Sequence, residues 1–349
     1  LLSGALPLGE LMQYAHHARM QRHPAGDVSF VYDTNPNYTN VCETRCEFCA
    51  FWRSPKARDR YTLTPAELSA RVARAAAAGA TTVLLQGGHN PAVRLADWMA
   101  YIEAIRAVCP HVHIHPYSPP EVAYLAAVEG CSTRHIVETL AAAGIRTMPG
   151  GGAEILAQRV RDAIAPTKCS PDEWLRISGE AHAVGIRTTA TMMYGHVERP
   201  DEIIAHLLVV RGLQDLTGGF SAFIPWSFKP GNSTLGKHLK VTAHPLLYVR
   251  IIATARLLLD NVDHVQSSWF SEDLRTGQLA LLAGADDFGG LLFEESVLGK
   301  AGHSHKTSLE RTLEVIRAMG FSPVQRDSLY QVMRRYAGAG TTSAGVASA

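Results

Sequence analysis

The sequence predicts an α/β fold, a (β/α)8 barrel preceded by an N-terminal helical extension. Short β-rich runs alternate with longer helical segments, which is the pattern of parallel strands joined by crossover helices. Eight such runs are present, and eight strand–helix units close into a barrel. The 349 residues, of which 46% are hydrophobic, suit one barrel with a large core, and no linker divides the middle of the chain.

The β-rich runs set the predicted order of the strands, and the first of them continues towards Cys42. They are residues 28–32, 82–86, 112–115, 145–148, 186–193, 220–226, 265–269 and 286–292.

Three helix starts share one pattern, with a hydroxyl residue at the cap, proline at the first helical position and glutamate at the third. This is a capping box with its preferred proline, so the glutamates are predicted to cap helices rather than to act as catalytic acids. The three starts are Thr64-Pro65-Ala66-Glu67, Ser118-Pro119-Pro120-Glu121 and Ser170-Pro171-Asp172-Glu173.

The ends of the chain are expected to lie outside the barrel. Residues 1–27 form the N-terminal extension, which begins with a helix over residues 1–22. The barrel spans residues 28–320, and residues 321–349 form a C-terminal segment. The end of that segment, 338–349, is rich in Gly, Ser, Thr and Ala and is predicted to be disordered.

Charge and hydropathy exclude several classes of partner. Lys and Arg number 33 against 32 Asp and Glu, so no bulk charge favours nucleic acid or anionic lipid. Apolar runs such as 207–210 and 253–259 are far shorter than the roughly 20 residues of a membrane span. No basic region followed by an apolar stretch opens the chain, so we expect a soluble cytoplasmic protein.

Three of the six cysteines form a cluster with the spacing C-x3-C-x2-C, namely Cys42, Cys46 and Cys49. The cluster follows the first predicted strand, so it lies at the barrel face that carries active sites. Thiolates this close in sequence can converge on one metal centre. Cys109, Cys131 and Cys169 stand apart and are interpreted as small packing residues.

The number of clustered cysteines distinguishes the types of metal site. Ferredoxin-type clusters and structural zinc sites use four ligands, whereas three thiolates on a 4Fe–4S cluster leave one iron open to a small molecule. A zinc site with His89 or His115 as a distant fourth ligand, in a protein without enzymatic activity, remains an alternative. A redox thiol pair fits less well, because C-x3-C is not the C-x2-C motif of such pairs.

The cluster and its surroundings resemble the radical S-adenosylmethionine enzymes, including the aromatic Phe48 before the last cysteine. The resemblance implies a 4Fe–4S cluster on the three cysteines, with S-adenosylmethionine bound at the open iron. It also implies a one-electron donor such as a flavodoxin or ferredoxin. The implied cofactor contacts are Phe48, Gln86, Gly87, Gly88, Ser118, Glu154 and Arg159, with Glu154 near the ribose and Arg159 on the carboxylate.

Within that superfamily the chain is most similar to the dehypoxanthine futalosine cyclases of menaquinone biosynthesis, from about residue 28 to about residue 302. The aminofutalosine synthases and the deazaflavin-cofactor synthases, which use tyrosine, share much of the pattern. Three features favour the cyclases: Gln86 before the glycines, Ser118-Pro119-Pro120, and Phe223-Ile224-Pro225-Trp226. The full set of matching segments is 37–42, 84–88, 115–121, 149–156 and 189–196.

The resemblance implies a reaction on a small molecule in which a benzoate is joined through a ketone to a ribose. A 5′-deoxyadenosyl radical removes hydrogen from the ribose, the carbon radical closes onto the ring, and loss of one electron and one proton restores aromaticity. A side chain must accept that proton, and the candidates are His196, His115 and Glu154. The expected substrate contacts, taken from strand ends, are Tyr117, Tyr194, Trp226, Ser268 and Asp287.

Overall fold

The computed structural model describes residues 1–240, 242–294, 296–303 and 305–337. The predicted disordered tail, 338–349, lies outside these residues. Each of the eight predicted runs overlaps a strand, although β8 shares only Val265 with its run. The strands are β1 (Asp27–Val31), β2 (Asp33–Thr34), β3 (Thr82–Leu85), β4 (His113–Pro116), β5 (Thr147–Met148), β6 (Arg187–Tyr194), β7 (Phe220–Ser227), β8 (His264–Val265), β9 (Asp287–Gly290), β10 (Ser322–Arg326) and β11 (Val332–Arg335).

Helices follow most of the strands, as the predicted alternation requires. They are α1 (Leu8–Arg22), α2 (Pro65–Ala77), α3 (Leu95–Val108), α4 (Pro119–Glu129), α5 (Thr133–Ala142), α6 (Gln158–Ile164), α7 (Pro171–Ala183), α8 (Pro200–Thr217), α9 (Thr234–His238), α10 (Pro245–Leu258), α11 (Trp269–Glu272), α12 (Leu274–Leu282), α13 (Val297–Lys300) and α14 (Leu309–Ala318). No helix among the described residues is long and apolar enough to span a bilayer.

The parallel strands follow one another around a ring, with β1 and β2 forming one interrupted first strand. Strands β2, β3 and β4 pair in order, and so do β5, β6, β7 and β8. Between these two sheets, His113 and His115 of β4 bond to the Thr147 hydroxyl of β5, each at 2.7 Å. On the other side, Gln266 after β8 bridges Asp287 of β9, and β9 pairs with β1. The predicted α/β architecture is confirmed.

The capping glutamates take the predicted positions. The side chains of Glu67, Glu121 and Glu173 each accept a hydrogen bond from the backbone N–H of the residue that caps their helix. Strand β8 is shorter than the predicted run 265–269, because Trp269 already begins α11.

Helix α1 is anchored to the barrel by a buried arginine. The Arg19 side chain donates from Nε to the Ala285 carbonyl at 2.9 Å and from Nη2 to the Asp27 carbonyl at 2.9 Å. Its guanidinium also stacks over the Phe321 ring, 4.1 Å from the centroid. The N-terminal extension is therefore packed on the lower end of β1 and β9 rather than separate from the barrel.

The C-terminal segment is also part of the barrel, which corrects the boundary predicted at residue 320. Strand β10 pairs in parallel with β1, from Asp27 opposite Ser322 to Phe30 opposite Gln325. The turn after β10 then covers the lower end of the ring, where the Tyr330 ring stacks on His264 at a centroid distance of 3.9 Å.

A buried ion pair closes this barrel floor. Both carboxylate oxygens of Asp287, at the start of β9, bond to the Arg326 guanidinium at the end of β10. The Ser29 hydroxyl and the Gly289 backbone N–H donate to the same carboxylate. Since Asp287 is fully buried, its charge depends on these partners. The predicted substrate contact at Asp287 is therefore corrected: this carboxylate holds the floor together.

Replacing Arg326 with methionine should destabilise the fold by about 3–5 kcal/mol, because it leaves the Asp287 carboxylate buried without its cation. The matched control is Arg335→Met in the same hairpin, where the Arg335–Asp27 pair at 2.6 Å is exposed and should contribute at most about 1 kcal/mol. Urea unfolding measures both. Equal losses for the two variants would contradict the role given to Arg326.

Candidate active site at the mouth of the barrel

The cysteine loop follows β2 and is held by backbone hydrogen bonds to segments far away in sequence. These bonds fix the loop at the carboxyl ends of the strands, the end of a barrel where active sites lie. They join Cys42 N–H to Arg53 O at 3.1 Å, Glu43 N–H to His89 O at 3.0 Å, Glu47 N–H to Ile164 O at 2.9 Å, and Leu235 N–H to Glu47 O at 2.7 Å.

The three thiols lie in a partly or fully buried environment. Burial raises the pKa of the Cys46 thiol to about 12 and also raises that of Cys49. Such thiols become thiolates when a metal centre supplies the compensating charge. Among the described residues, the three sulfurs are not a set that lies within 4.8 Å of one another. Ligands of one tetrahedral zinc would be roughly 3.8 Å apart, so the three sulfurs as placed here are not arranged as ligands of one such ion.

Gly87 and Gly88 bring β3 into contact with the cysteine loop. A Cβ on Gly88 would lie 2.2 Å from the Val41 carbonyl oxygen, and one on Gly87 would lie 2.6 Å from the Tyr38 ring. Neither contact is sterically allowed. The sequence indicated that these glycines let the backbone approach a ligand; in the structure they let it approach the loop that carries the ligands.

Glu121 ties the same region to α4. Besides capping the helix, its carboxylate accepts bonds from the Tyr38 hydroxyl and the Gly87 N–H, both at 3.0 Å. This buried carboxylate therefore supports the glycine segment from behind. Ser118, the cap residue of α4, donates both its N–H and its hydroxyl to Glu121.

Glu154 lies beside the cysteine loop and is paired with a lysine. Lys168 donates to the Glu154 carboxylate at 2.6 Å, and both side chains are nearly buried. Burial by itself would raise the pKa of Glu154, but Lys168 and Arg161 outweigh it and lower the pKa overall. The Lys168 ammonium also lies 5.5 Å from the Phe48 ring centroid. An anionic carboxylate is suited to accept hydrogen bonds from a ribose, whereas it is a weak base.

The structure corrects the expectation for Arg159. Its half-exposed guanidinium bonds both oxygens of Glu202 and the Val197 carbonyl, so it is not brought to Glu154. The buried arginine of the same helix is Arg161, which donates to the carbonyls of Gly152 and Ala153. On α6 the two positions fall on different faces, which the sequence pattern around residue 159 did not reveal.

Half-buried side chains mark the barrel interior. On β3, β4 and β7 they alternate with fully buried ones, whereas on β6 Thr191 is half-buried within the otherwise buried run 188–194. The half-buried residues are Leu84, Gln86, His115, Thr191, Ile224 and Trp226. Gln86 lies next to Gly151, where an added Cβ would be 2.8 Å from its amide nitrogen. Gln86 and Trp226 are thus half-buried on the side of their strands that faces the barrel interior; their predicted contacts with the cofactor and the substrate stay predictions.

Of the two candidate histidine bases, His115 is poorly suited to accept a proton. Burial lowers the pKa of His115 to about 3, and its Nδ1 bonds the Thr147 hydroxyl. His196 bonds within its own loop, from Nε2 to the Met193 carbonyl at 2.9 Å and from the Val197 N–H to Nδ1 at 2.8 Å. The structure therefore places His196 as a loop anchor.

The remaining predicted substrate contacts differ in position. Tyr117 points away from the lumen: its backbone φ is +53°, its ring stacks on Trp98 at 3.5 Å, and its hydroxyl donates to the Trp98 carbonyl. That expectation is corrected. Tyr194 ends β6 and is buried, with its ring stacked on Tyr248. Ser268 caps α11 with a buried hydroxyl that has no hydrogen-bond partner among the described residues.

Sequence reasoning did not identify the two buried lysines of the mouth. Lys168 lies in the loop between α6 and α7, and Lys229 follows β7 by two residues. Lys229 bonds the Ser227 hydroxyl at 2.7 Å and lies 3.6 Å from Glu272. A lysine in a loop is usually exposed, and nothing in the local sequence marks these two as buried.

Sequence comparisons place the chain among characterised enzyme families. The sequence model described as the radical SAM superfamily matches residues 36–210, and the one described as the CofH/MqnC C-terminal region matches residues 217–337.

Two kinds of curated relative match over nearly the whole chain. A 5-amino-6-(D-ribitylamino)uracil–L-tyrosine 4-hydroxyphenyl transferase of Methanopyrus kandleri is 40% identical over 96% of this chain and 92% of its own length. A cyclic dehypoxanthine futalosine synthase of Streptomyces coelicolor is 37% identical over 93% of this chain and 82% of its own. Another, of Halalkalibacterium halodurans, is 36% identical over 92% of this chain and 86% of its own.

Solved structures support the fold. Methylornithine synthase (PylB) superposes with a TM-score of 0.70 at 16% identity, covering 90% of this chain and 89% of that one. The hydrogenase maturase HydG superposes with a TM-score of 0.72 at 15% identity, covering 93% of this chain and 70% of that one. At these identities the likeness concerns the fold alone.

Gly88→Ala should prevent assembly of the metal centre, because the added Cβ would meet the Val41 carbonyl and lie 2.9 Å from the Cys42 Cβ. After anaerobic reconstitution the wild type should hold about four iron atoms per chain, and the variant a small fraction of that. The matched control is Gly212→Ala on α8, where nothing lies within 4 Å of the added atom. Full iron content in Gly88→Ala would contradict the packing role of this glycine.

His115→Gln should make stability less dependent on pH. Because the pKa of His115 is lowered to about 3 in the folded state, its contribution is present above about pH 6.5 and is lost as pH falls below it. Between pH 7 and pH 5.5 the variant should lose about 1.2 kcal/mol less unfolding free energy than the wild type. Urea unfolding at both pH values measures this, with exposed His135→Gln as the control. Parallel losses in wild type and His115→Gln would refute it.

Proposed function

The chain belongs to the radical SAM superfamily and carries the CofH/MqnC C-terminal region, and on that premise we propose that it cyclises dehypoxanthine futalosine. The superfamily uses a 4Fe–4S cluster and S-adenosylmethionine. The observation that carries the proposal is Trp226, half-buried in the lumen at the end of β7. It completes the Phe223–Trp226 segment that resembles the cyclases.

The residues at the mouth fit the cofactors chemically. Cys42, Cys46 and Cys49 would hold the cluster, since three free thiols on one short loop leave one iron of a 4Fe–4S cluster open. When bound, the cluster and S-adenosylmethionine supply a 5′-deoxyadenosyl radical that removes hydrogen from an unactivated carbon. Glu154, kept anionic by Lys168, would accept hydrogen bonds from the ribose hydroxyls of S-adenosylmethionine. Gln86 and Ser118 are further proposed contacts of this cofactor.

The lumen would position the substrate and keep other hydrogen donors away from the radical. Leu84, Ile224 and Trp226 present apolar surface at the level of the strand ends, and such a wall favours an aromatic ring over water. Trp226 would pack against the benzoate ring, with Ser268 at the end of the next strand; the Tyr194 ring, stacked on Tyr248, lies on the other face of the sheet. Since burial makes His115 a poor base, the ring proton would leave to His196 or to solvent.

Tyrosine transfer is the second candidate, favoured by the 40% identity to the Methanopyrus kandleri transferase over 96% of this chain. That reaction also begins with an aromatic substrate. The two candidates therefore share the cofactors and the aromatic pocket, and they differ in the molecule that the lumen accepts.

Anaerobically reconstituted protein given dithionite, S-adenosylmethionine and dehypoxanthine futalosine should release 5′-deoxyadenosine together with a cyclic product two mass units lighter than the substrate, because cyclisation removes two hydrogen atoms. Parallel incubations contain L-tyrosine with 5-amino-6-(D-ribitylamino)uracil. Mass spectrometry of the products decides between the reactions. Deoxyadenosine release that depends on tyrosine and not on dehypoxanthine futalosine would contradict the cyclase proposal.

A further inference from the structure

Asp33 carries a buried carboxyl group on the lumen face of the interrupted first strand. The side chain before it, Tyr32, faces the helix layer, because a Cβ on Gly79 at the end of α2 would be 2.9 Å from the Tyr32 ring. Neighbouring side chains of a strand point to opposite faces, so the Asp33 side chain points into the barrel. Only 8% of the residue is exposed, and the carboxyl group is therefore largely shielded from bulk solvent.

The strand register places Asp33 in a layer with other lumen residues. It pairs with Thr82 of β3, and Thr82 pairs with His113 of β4. Side chains at paired positions share a face of the sheet. His113 and His115 lie on one face of β4, since both bond the Thr147 hydroxyl across the gap to β5. Asp33 therefore lies in the lumen, one layer below His115.

Strand β9 provides the space and one donor for this carboxyl group. A Cβ on Gly290 would overlap both Asp33 oxygens, so the carboxyl group can lie there because this residue has no side chain. The Leu292 N–H donates to Oδ1 at 3.0 Å. An ionised carboxylate has about four acceptor sites, so Asp33 retains the capacity to accept a bond or a proton from a ligand.

Asp33 differs from the other buried carboxylates of the described chain in its partners. Four of them are paired with a lysine or an arginine, and the fifth, Glu121, accepts bonds from several donors. The four pairs are Glu154–Lys168, Glu202–Arg159, Asp286–Arg256 and Asp287–Arg326. Among the described residues, no cation forms an ion pair with Asp33, and the Leu292 N–H is the donor that another residue supplies.

The charged groups that act on Asp33 belong to the floor below it. Burial is the largest effect and raises the pKa of Asp33 to about 6, although Arg326 lowers it and Asp287 raises it further. Burial also lowers the pKa of His113 and His115, the histidines of the adjoining lumen wall, so both are neutral near pH 7. Asp33 is thus ionised at that pH and is a stronger base than an ordinary carboxylate.

We propose that Asp33 is a catalytic residue that accepts the proton lost by the aromatic ring after cyclisation. This rests on the proposed function. In that step the C–H bond at the site of ring closure breaks and its proton goes to the Asp33 carboxylate. The C–H electron pair returns to the ring, and one electron leaves to a one-electron acceptor, for which the oxidised iron–sulfur cluster is available. Asp33 then passes the proton to solvent.

Asp33 is better placed for this step than His196. Both ring nitrogens of His196 are bonded within its own loop, whereas the Asp33 carboxylate faces the lumen with acceptor sites free. The lumen is also where the substrate ring would lie, since Trp226 is half-buried on the interior side of β7.

Asp33→Asn in a single turnover tests the proposal, because the amide oxygen can still accept from the Leu292 N–H but the side chain cannot take a proton. With dehypoxanthine futalosine the variant should release 5′-deoxyadenosine at the wild-type rate, since hydrogen removal comes first. Cyclic product should form about 100-fold more slowly, the usual contribution of a general base. Iron content and melting temperature are measured in parallel.

Two results would overturn the proposal in folded, iron-loaded Asp33→Asn. One is cyclic product formed at the wild-type rate; the other is equal slowing of deoxyadenosine and product, which a structural role would cause. The matched control is Asp27→Asn, which removes a carboxylate lower on the same strand that pairs with exposed Arg335, and it should change neither rate.

Infrared spectra of the protein without cluster or substrate provide a readout that needs no turnover. Between about pH 5 and about pH 7.5 the wild type should lose the carbonyl stretch of a carboxylic acid with a pKa near 6. Asp33→Asn should lack this band and Asp27→Asn should keep it. Identical spectra for wild type and Asp33→Asn would show that Asp33 does not titrate in this range and would overturn the inference.

Failure of the proposed function gives a different result. A wild type that forms no cyclic product contradicts the cyclase, and the inference falls with it. A wild type that cyclises, together with Asp33→Asn that cyclises equally fast, contradicts the inference alone.

Discussion

The parallel pairing of β9 with β1 closes the ring of strands, and the position of the cysteine loop follows from it. Ser29 and Asp287 are paired in the parallel register and joined through a side-chain hydrogen bond. This pairing places the first strand, which leads into the cysteine loop, beside the last, so that every strand end opens at one mouth. Arg326 secures the junction from below, and Arg19 joins the leading helix to the same end.

Polar groups at the two ends of the barrel have different roles: those at the floor hold strands together, and those at the mouth surround the cysteine loop. At the floor, Asp287 and Arg326 form a two-point ion pair, and the Arg326 guanidinium also donates to the Asp327 carbonyl. At the mouth, burial raises the pKa values of the Cys46 and Cys49 thiols, which a metal centre would compensate. Among the described residues, buried hydroxyls without a hydrogen-bond partner occur at both ends, Tyr330 at the floor and Ser268 at the mouth, so it is the cysteine loop that marks the mouth as the candidate site.

Much of the fold could be predicted from the sequence, because it depends on local patterns. The β-rich runs, the capping boxes and the position of the cysteines at the end of the first strand all follow from short stretches of residues. The face of a strand or helix on which a side chain lies was harder to predict from the sequence. His115 faces inwards as strand alternation requires, whereas the positive φ of Tyr117 turns its ring outwards. Arg159 and Arg161 lie on different faces of α6, so their side chains have different partners.

Long-range partners could not be predicted. Asp287 was expected to contact the substrate because it lies on the last predicted strand. Its partner in the structure is Arg326, which is 39 residues later in the sequence. The role of Gly88 was assigned to ligand approach because the cysteine loop against which it packs is distant in sequence. Lys168 and Lys229 carry no local signal of burial, since their environment is created by loops that meet only in the closed barrel.

We propose that the three cysteines at the mouth hold a 4Fe–4S cluster with one iron open to S-adenosylmethionine. Electron paramagnetic resonance of the reduced, reconstituted protein, recorded with and without S-adenosylmethionine, tests it most directly. We expect a single 4Fe–4S signal whose g values change when S-adenosylmethionine is added. A signal that S-adenosylmethionine leaves unchanged, or a protein that binds one zinc and no iron, would contradict it.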